Sequence, residues 1–259
     1  MKVSIITPVY NGVGFIEKCI ESIRQSSYGE VEHIIVDAGS TDGTREVLDR
    51  FGESVRWLSE PDEGIADAMN KGVAMATGDI VGQLNSDETY HRNSIETVVD
   101  HMQRNPDTDV VYGDNHFVDP EGRVLREKRE IDFDRKLLVY LCYIQTIAAF
   151  FRKRTTFDAG ILFDKRFKYA HDKDYFNRLA AAGKKFVHIR QSFGAFTMHS
   201  GCNTIAIQHK QHDDSREITE QYMPPISQSD RINQLYFEGM MFYSKCRKAV
   251  KKLRQGCYG

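Results

Sequence analysis

The segment 80–88, IVGQLNSDE, joins a short apolar run to an acidic end. The run at 80–84 predicts a buried strand. A carboxylate at the end of such a strand is desolvated unless a partner compensates, and the charges of Asp87 and Glu88 also repel each other. A hard cation such as Mg²⁺ or Mn²⁺ would relieve both problems, because such ions take oxygen ligands. An acidic turn that caps a helix near His91 is the alternative.

Apolar runs of this kind alternate with helix-like segments through the first half of the chain. Strands are predicted at 3–7, 31–36, 55–58 and 80–84. Between them, apolar residues recur every three or four positions, which predicts helices. Strands interleaved with helices predict an α/β fold with a mostly parallel, doubly wound sheet and flanking helices.

Each predicted strand is followed by a polar turn. The four turns are TPVYNG (7–12), DAGSTDGT (37–44), EPDEG (60–64) and NSDE (85–88). Taken singly, each is explained by its turn-forming residues. Ligands of such sheets bind at the carboxyl ends of the strands. We therefore expect the four turns to form one cleft that holds a nucleotide and a metal.

The composition excludes several classes of protein. A net charge of −2 on 259 residues gives no argument for nucleic-acid binding. Five cysteines without a CxxC spacing indicate a reducing cytoplasm, not a disulfide framework or a zinc site. The N-terminal residues lack a long apolar region, so we expect no signal peptide. No apolar run approaches the roughly 18 residues that a transmembrane helix needs.

The second half of the chain is less regular. We expect strands at 109–112, 117–118, 148–151 and 186–189, and a helix at 174–182. After about Asp213 the sequence becomes polar and includes Pro224 and Pro225, which predicts a linker. A long helix would follow. Its apolar residues are Leu235, Phe237, Met240, Met241, Val250 and Leu253, and its basic end comprises Lys245, Arg247, Lys248, Lys251, Lys252 and Arg254.

The motifs of other nucleotide-binding and hydrolytic enzymes are missing from the sequence. No GxGxxG follows the first strand, and no GxxxxGK[ST], HExxH or GxSxG is present. A sugar-phosphate nucleotidyltransferase needs a Gly- and Arg-rich phosphate loop after the first strand, whereas TPVYNG contains neither Arg nor Lys.

Five segments, in order, resemble the inverting GT-A glycosyltransferases of family 2, which build bacterial surface polysaccharides. They are SIITPVYN (4–11), VDAGSTDGT (36–44), EPDEGIADAMNKG (60–72), ATGDIVGQLNSDE (76–88) and FKYAHDKDYFNRLA (167–180). The resemblance implies a GT-A catalytic domain over 1–212, with a nucleotide-sugar-binding half (1–115) and an acceptor-side half (116–212). A linker and a basic amphipathic C-terminal helix would occupy 213–259.

The resemblance also implies the reaction. A hexose would pass from a nucleotide-sugar, preferably a UDP-sugar, to a hydroxyl of a saccharide acceptor that is often lipid-linked. The displacement is single and inverting, and Mg²⁺ or Mn²⁺ is the implied cofactor. Two rival hypotheses remain. One is a non-catalytic sugar-nucleotide-binding or scaffold protein of the same fold, and the other is a nucleotidyltransferase.

The family's donor-site roles fall on named positions of this chain. Thr7, Pro8 and Tyr10 would surround the base and ribose, and Asp37, supported by Ser40, would accept a hydrogen bond from uracil. The residues implied for the ribose, pyrophosphate or donor sugar are Asp67, Asn70 and Lys71. Lys71 would be the phosphate partner. Its alternative role is a solvated helix residue.

The family's Asp-x-Asp metal motif falls on Asn85, Ser86 and Asp87. Asn85 brings no charge and would contact the ribose, so Asp87 carries most of the implied metal binding. Glu88 would help through water or face the acceptor side. His199, in FTMHSG, would reach the diphosphate or metal, although a structural role is the alternative.

The resemblance places the catalytic base at Asp172. The attacking acceptor hydroxyl must lose its proton, and a carboxylate within hydrogen-bond reach accepts it. A helix-capping role for Asp172 is the alternative. Asp174 lies two residues away and is the implied cap or acceptor-side neighbour. Gln145 would line the acceptor side.

The basic C-terminal helix allows two interpretations. A run of charge is usually a solvated face. Lys and Arg residues beside an apolar stripe also suit an anionic membrane surface. We therefore expect a cytoplasmic protein that is peripheral on the inner face of the cytoplasmic membrane.

Overall fold

The strand and helix alternation predicted for the first half is confirmed. A computed structural model describes residues 1–199, 208–223, 227 and 229–255. The strands are β1 (Val3–Val9), β2 (Val31–Asp37), β3 (Arg56–Ser59) and β4 (Ile80–Gln83). The helices between them are α1 (Ile16–Arg24), α2 (Thr44–Phe51) and α3 (Ile65–Met75).

The second half mixes strands and helices. Its strands are β5 (Glu88–Tyr90), β6 (Val110–Val118), β7 (Val124–Lys128), β8 (Ala149–Arg152) and β9 (Phe186–Thr197). Its helices are α4 (Ser94–Arg104), α5 (Arg135–Tyr140), α6 (His171–Ala181), α7 (Gln208–Tyr222) and α8 (Asp230–Arg254).

The strands form a single sheet in the order β3-β2-β1-β4-β8-β6-β9-β5, with β7 on the outer part of β6. The β3-β2-β1-β4 half is parallel. Strand β8 is antiparallel to both β4 and β6, whereas β9 is parallel to β6. The turns after β1, β2, β3 and β4 therefore meet at one edge of the sheet, as the sequence predicts.

Helix α3 packs unusually close to strand β1. A Cβ atom on Gly72 would lie 2.3 Å from Cγ2 of Ile6, so only glycine allows this approach. On the same face of the sheet, an aromatic cluster holds α6. Phe163 stacks on Tyr175 with ring centroids 4.1 Å apart, and Phe151 packs edge-on against Tyr175. This packing fixes the first turn of α6, which carries Asp172, against the sheet.

The linker predicted after Asp213 is wrong up to Tyr222, because this polar stretch belongs to helix α7. The buried Ile218 packs against Phe167 and Ala170. The Lys173 ammonium donates to the Ser215 carbonyl at 2.8 Å and to the Thr219 hydroxyl at 2.7 Å. These few inward contacts hold α7 on α6 although the rest of the helix is polar. Pro224 and Pro225 lie outside the described residues.

The predicted long C-terminal helix is confirmed as α8, and its basic end contacts the segment that precedes α5. Arg247 and Lys251 form ion pairs with Asp134 at 2.8 and 2.7 Å. Lys248 pairs with the fully buried Glu130 at 2.9 Å. Part of the basic run is therefore neutralised within the protein. None of the described helices is long and apolar enough to cross a membrane.

Candidate active site

A cleft of about 660 Å³ opens at the carboxyl ends of β1, β2 and β4. The four turns that follow the parallel strands all contribute to its wall, together with the start of α6 and one residue of α7. The predicted site residues that line it are Pro8, Tyr10, Asn85, Ser86, Asp87, Glu88, Gln145, Asp172 and His199. The cleft therefore gathers nucleotide-side and acceptor-side predictions in one place.

The first two turns are locked together by hydrogen bonds. Asn11, in a left-handed conformation with φ of 51°, donates its backbone N–H to the Ser40 hydroxyl at 2.7 Å. Its side-chain oxygen accepts from the backbone N–H of Thr41 at 2.9 Å. The Asp37 carboxylate accepts from the Ser40 hydroxyl and from the Ser59 hydroxyl. These bonds set the shape of the cleft wall before any ligand binds.

Three residues that were predicted to contact the nucleotide lie behind the wall of the cleft. Asp37 is fully buried beneath Ala38, which lines the cleft in its place. Ser40 is also buried and holds the turn. Thr7 points into the core, where its hydroxyl lies 2.8 Å from Nε2 of His33. The alternation of side chains along a strand explains Thr7, since its neighbour Pro8 faces the cleft.

Tyr10 has the opposite environment. Its side chain lines the cleft and is 65% exposed. An exposed aromatic ring at the mouth of a cleft offers a flat apolar face for a planar group such as a nucleobase.

The structure does not bring the predicted α3 residues into the cleft. Asn70 donates to the Phe163 carbonyl at 2.9 Å and accepts from its N–H at 3.0 Å. Lys71 pairs with Glu60 at 2.9 Å and with Asp67 at 3.3 Å. Asp67 and Lys71 are one helical turn apart and therefore share a face. Asp67, Asn70 and Lys71 are thus bonded within the protein and do not line the cleft, and their donor-site roles stay predictions.

Acidic and polar groups crowd the end of β4. Asn85 accepts from the Gln83 amide at 3.1 Å, and its N–H donates to Glu88 at 2.8 Å. Burial, and secondarily the charge of Asp87, raise the pKa of Glu88 to about 8. Glu88 lines the cleft but is bonded to the backbone of Asn85 and favours the neutral acid, so Asp87 presents the available charge at this edge.

His199 completes this acidic corner. Its Nε2 lies 3.3 Å from Oδ2 of Asp87, and its ring stacks on Phe15 with centroids 4.2 Å apart. Carboxylate oxygen and imidazole nitrogen are both ligands that Mn²⁺ accepts. Two protein ligands are enough for a metal that also bridges substrate phosphates. The donor set at Asp87 and His199 therefore fits the implied cation.

The charge balance of the cleft points the same way. Four carboxyl side chains line it, from Asp62, Asp87, Asp172 and Glu88, and the raised pKa of Glu88 favours the neutral acid for that one alone. Among the lining residues that the structure describes, Lys168 is the only lysine or arginine. An anionic diphosphate would be repelled by such a lining unless a divalent cation accompanied it.

The start of α6 separates the two candidate bases. Asp172 lines the cleft, and one of its carboxylate oxygens lies 3.6 Å from Sγ of Cys142. Asp174 is almost fully buried and forms an ion pair with Arg178 at 2.7 Å. This ion pair holds the Asp174 carboxylate on its own helix and away from the cleft lining, and its acceptor-side role stays a prediction. No side chain caps α6, since Ala170 occupies the N-cap position.

Some lining residues were not predicted. Lys168, Tyr169 and His171 precede or begin α6, and Gln211 reaches the cleft from α7. His171 is buried, and neither ring nitrogen has a hydrogen-bond partner among the described residues. Burial lowers the pKa of His171, which favours the neutral ring. Lys168, Tyr169 and His171 lie in the segment 167–180, whose resemblance to the family could have identified them. The sequence around Gln211 contains no such motif.

Solved structures identify the fold. S. aureus TarS 1-349 in complex with UDP-GlcNAc matches with a TM-score of 0.70 and 17% identity, over 93% of this chain and 70% of that one. The mannosyltransferase PcManGT from Pyrobaculum calidifontis, in complex with GDP-Man and Mn²⁺, matches with a TM-score of 0.66 and 16% identity, over 100% and 76%. The fold is that of the GT-A glycosyltransferases.

Sequence similarity gives the family. Residues 4–168 match the family described as "Glycosyl transferase family 2". The chain belongs to this family.

Two relatives illustrate the range of the similarity. The hyaluronan synthase of Pasteurella multocida is 30% identical over 218 residues, which cover 81% of this chain and 22% of that protein. An uncharacterized glycosyltransferase of Rickettsia typhi is 29% identical over 200 residues, which cover 72% and 61%. The chain thus spans about a fifth to three fifths of these relatives.

Proposed function

We propose that this chain transfers a hexose from a UDP-sugar to a hydroxyl group of a saccharide acceptor, with inversion and with a divalent cation. The carrying observation is that Asp172 and the Asp87–His199 pair line the same cleft. The Asp172 carboxylate is thereby available to the acceptor, and the Asp87 carboxylate is available to a cation that accompanies the diphosphate.

The acceptor chemistry rests on Asp172. The acceptor oxygen attacks the anomeric carbon as the bond from that carbon to the diphosphate oxygen breaks. The hydroxyl proton passes to the Asp172 carboxylate, and the nucleoside diphosphate leaves with the bonding pair. Attack from the face opposite the leaving group inverts the anomeric centre. A positioned base contributes about 10²–10⁴-fold to such a step.

The donor is held by the opposite part of the cleft. Tyr10 offers a stacking surface for the base, while Asp37 and Ser40 hold the turn beside Ala38. Asn85 and Ser86 lie where ribose and phosphate oxygens would bind. The preference for uracil is supported by TarS, which has been solved with UDP and with UDP-GlcNAc.

Asp87 and His199 would hold Mg²⁺ or Mn²⁺. The bound cation would offset negative charge on the diphosphate as it leaves. Lys168 is a positively charged side chain in the cleft lining and would also contact the diphosphate. PcManGT, of the same fold, has been solved with Mn²⁺.

The acceptor is proposed to be lipid-linked, with helix α8 resting on the membrane surface. Six large apolar or aromatic side chains of α8 are exposed, namely Ile232, Leu235, Phe242, Tyr243, Val250 and Leu253. The triple variant Leu235→Ser, Phe242→Ser and Leu253→Ser should lose flotation with phosphatidylglycerol vesicles. Equal flotation of the variant and the unmodified protein would end this proposal.

A donor screen tests the proposed activity. Calorimetry with UDP, GDP and dTDP, each with and without Mn²⁺, should show the tightest binding for UDP with Mn²⁺. Incubation with UDP-hexoses should then release UDP. Release of pyrophosphate would instead indicate a nucleotidyltransferase. Binding without any turnover in the presence of saccharide acceptors would favour a scaffold protein.

A further inference from the structure

A second pocket of about 420 Å³ lies between the end of α5 and the basic part of α8. Its lining consists of Tyr140, Leu141, Cys142, Lys245, Lys248, Ala249 and Lys252. The three lysines are spaced three and four residues apart, so they lie on one face of the helix. The small side chain of Ala249 leaves space between them.

The positive charge of this pocket is only partly balanced. Lys248 pairs with the buried Glu130 at 2.9 Å. No carboxylate in the described part of the chain forms an ion pair with Lys245 or Lys252. Burial lowers the pKa of Lys248. The charge of Glu130 raises this pKa, and the charge of Lys252 lowers it. The lysines are therefore crowded enough to repel one another, and a bound anion would relieve that repulsion.

We propose that this lysine pocket binds a phosphate group carried by the acceptor. A phosphate can accept hydrogen bonds from several ammonium groups at once and brings more charge than a carboxylate. The pocket is larger than a lone phosphate requires, so its ligand is a phosphate on a larger molecule, such as a glycosyl phosphate or diphosphate.

The position of the pocket connects it to the acceptor side of the cleft. Cys142 forms part of its wall, and Sγ of the same residue lies 3.6 Å from Oδ2 of Asp172. A single side chain therefore separates the lysine pocket from the proposed base. An acceptor anchored by its phosphate here would have its sugar portion near Asp172. This inference rests on the proposed function for its acceptor, but the binding of phosphate can be measured alone.

The probe is inorganic pyrophosphate, titrated by calorimetry into the full chain with EDTA present to keep cations out of the donor cleft. The double variant Lys245→Gln, Lys252→Gln should bind at least ten-fold more weakly than the unmodified protein. The control Arg104→Gln, Lys185→Gln removes two exposed positive charges elsewhere and should bind normally.

Equal binding by the unmodified protein and the lysine variant would overturn the proposal. Glycerol 3-phosphate and phosphatidylglycerol vesicles separate the two sources of phosphate. Lysine-dependent binding of the soluble compound assigns the pocket to a sugar or glycerol phosphate, and lysine-dependent binding of vesicles alone assigns it to a lipid headgroup. If pyrophosphate binds here but UDP-hexoses are never turned over, the proposed function fails and the phosphate site stands.

Discussion

The Nε2 atom of His199 lies 3.3 Å from Oδ2 of Asp87, although 112 residues separate them in the chain. Asp87 follows strand β4, and His199 follows the end of strand β9. The ring of Phe15, the residue directly before α1, stacks on the His199 ring and limits its movement. Three distant parts of the chain therefore build one corner of the cleft.

Removal of the Asp87 charge should abolish metal-dependent binding of the donor. Asp87→Asn loses the principal anionic ligand, so we expect UDP to bind with the same weak affinity with and without Mn²⁺. Turnover should fall at least about 10–100-fold, because replacing even the partners behind metal ligands has effects of this order. Calorimetry and UDP release measure the two quantities. Asp100→Asn is the control, since this exposed residue pairs with Arg104 and does not line the cleft. A variant that keeps its response to Mn²⁺ would contradict the assignment.

Lys168 and Lys71 should differ in their effects on donor affinity. Lys168 lines the cleft, whereas Lys71 is paired with Glu60 and Asp67. We expect Lys168→Met to raise the KM for the donor several-fold, and Lys71→Met to change it less than two-fold. The ion pairs of Lys71 should be worth about 1 kcal/mol at most. Initial rates over a range of UDP-hexose concentrations separate the two. The opposite order would restore Lys71 as the phosphate partner.

Replacement of His171 should separate stability from activity. Its buried ring has no hydrogen-bond partner in the described part of the chain, so the folded protein gains little from its nitrogens. His171→Phe should leave the free energy of unfolding within about 1 kcal/mol or raise it. Turnover should nevertheless fall if the ring contacts the bound sugars. Chemical denaturation and UDP release report the two effects. Unchanged turnover would show that His171 only packs the core.

Glu32 should contribute stability that disappears in acid. Burial alone would raise its pKa, but hydrogen bonds from Ser4, Thr77 and Lys2 outweigh it and lower the pKa from 4.5 to about 2. Because the folded pKa lies below the unfolded one, this stability is complete above pH 4.5 and is lost between pH 4.5 and 2. Glu32→Gln should therefore cost about 2 kcal/mol at pH 7 and almost nothing near pH 2. Urea denaturation at several pH values measures the difference, and a constant difference would contradict it.

Much of the fold could be predicted from the sequence, because it depends on local pattern. Apolar runs of strand length and helical spacing identified the parallel half, and the carboxyl-end rule then placed four turns at one edge. The prediction of a linker at 213–222 was wrong because it relied on local pattern in the same way. Helix α7 is held by isolated inward contacts such as Ile218, which leave no periodic signal in a polar stretch.

The candidate site was harder to predict, because the face of a helix depends on its tertiary partners. Asn70 is bound to the backbone of Phe163, 93 residues away, and this contact turns its helix face away from the cleft. Asp172 and Asp174 share the first turn of α6, and their tertiary surroundings distinguish them, since Asp172 lines the cleft while Asp174 is buried against Arg178. Residues in turns, such as Tyr10 and Asp87, were easier to place because the strand directly before them fixes their position.

The most direct measurement compares Asp172→Asn with the unmodified protein, using UDP release from UDP-hexose with Mn²⁺ and a saccharide acceptor, alongside calorimetric UDP binding. Asp174→Asn serves as the matched control, because it should lower stability through the loss of the Arg178 ion pair. We expect Asp172→Asn to bind UDP normally while turnover falls about 10²–10⁴-fold, and the folded Asp174→Asn to retain most activity. Equal turnover by Asp172→Asn and the unmodified protein would contradict the assignment of Asp172 as the base.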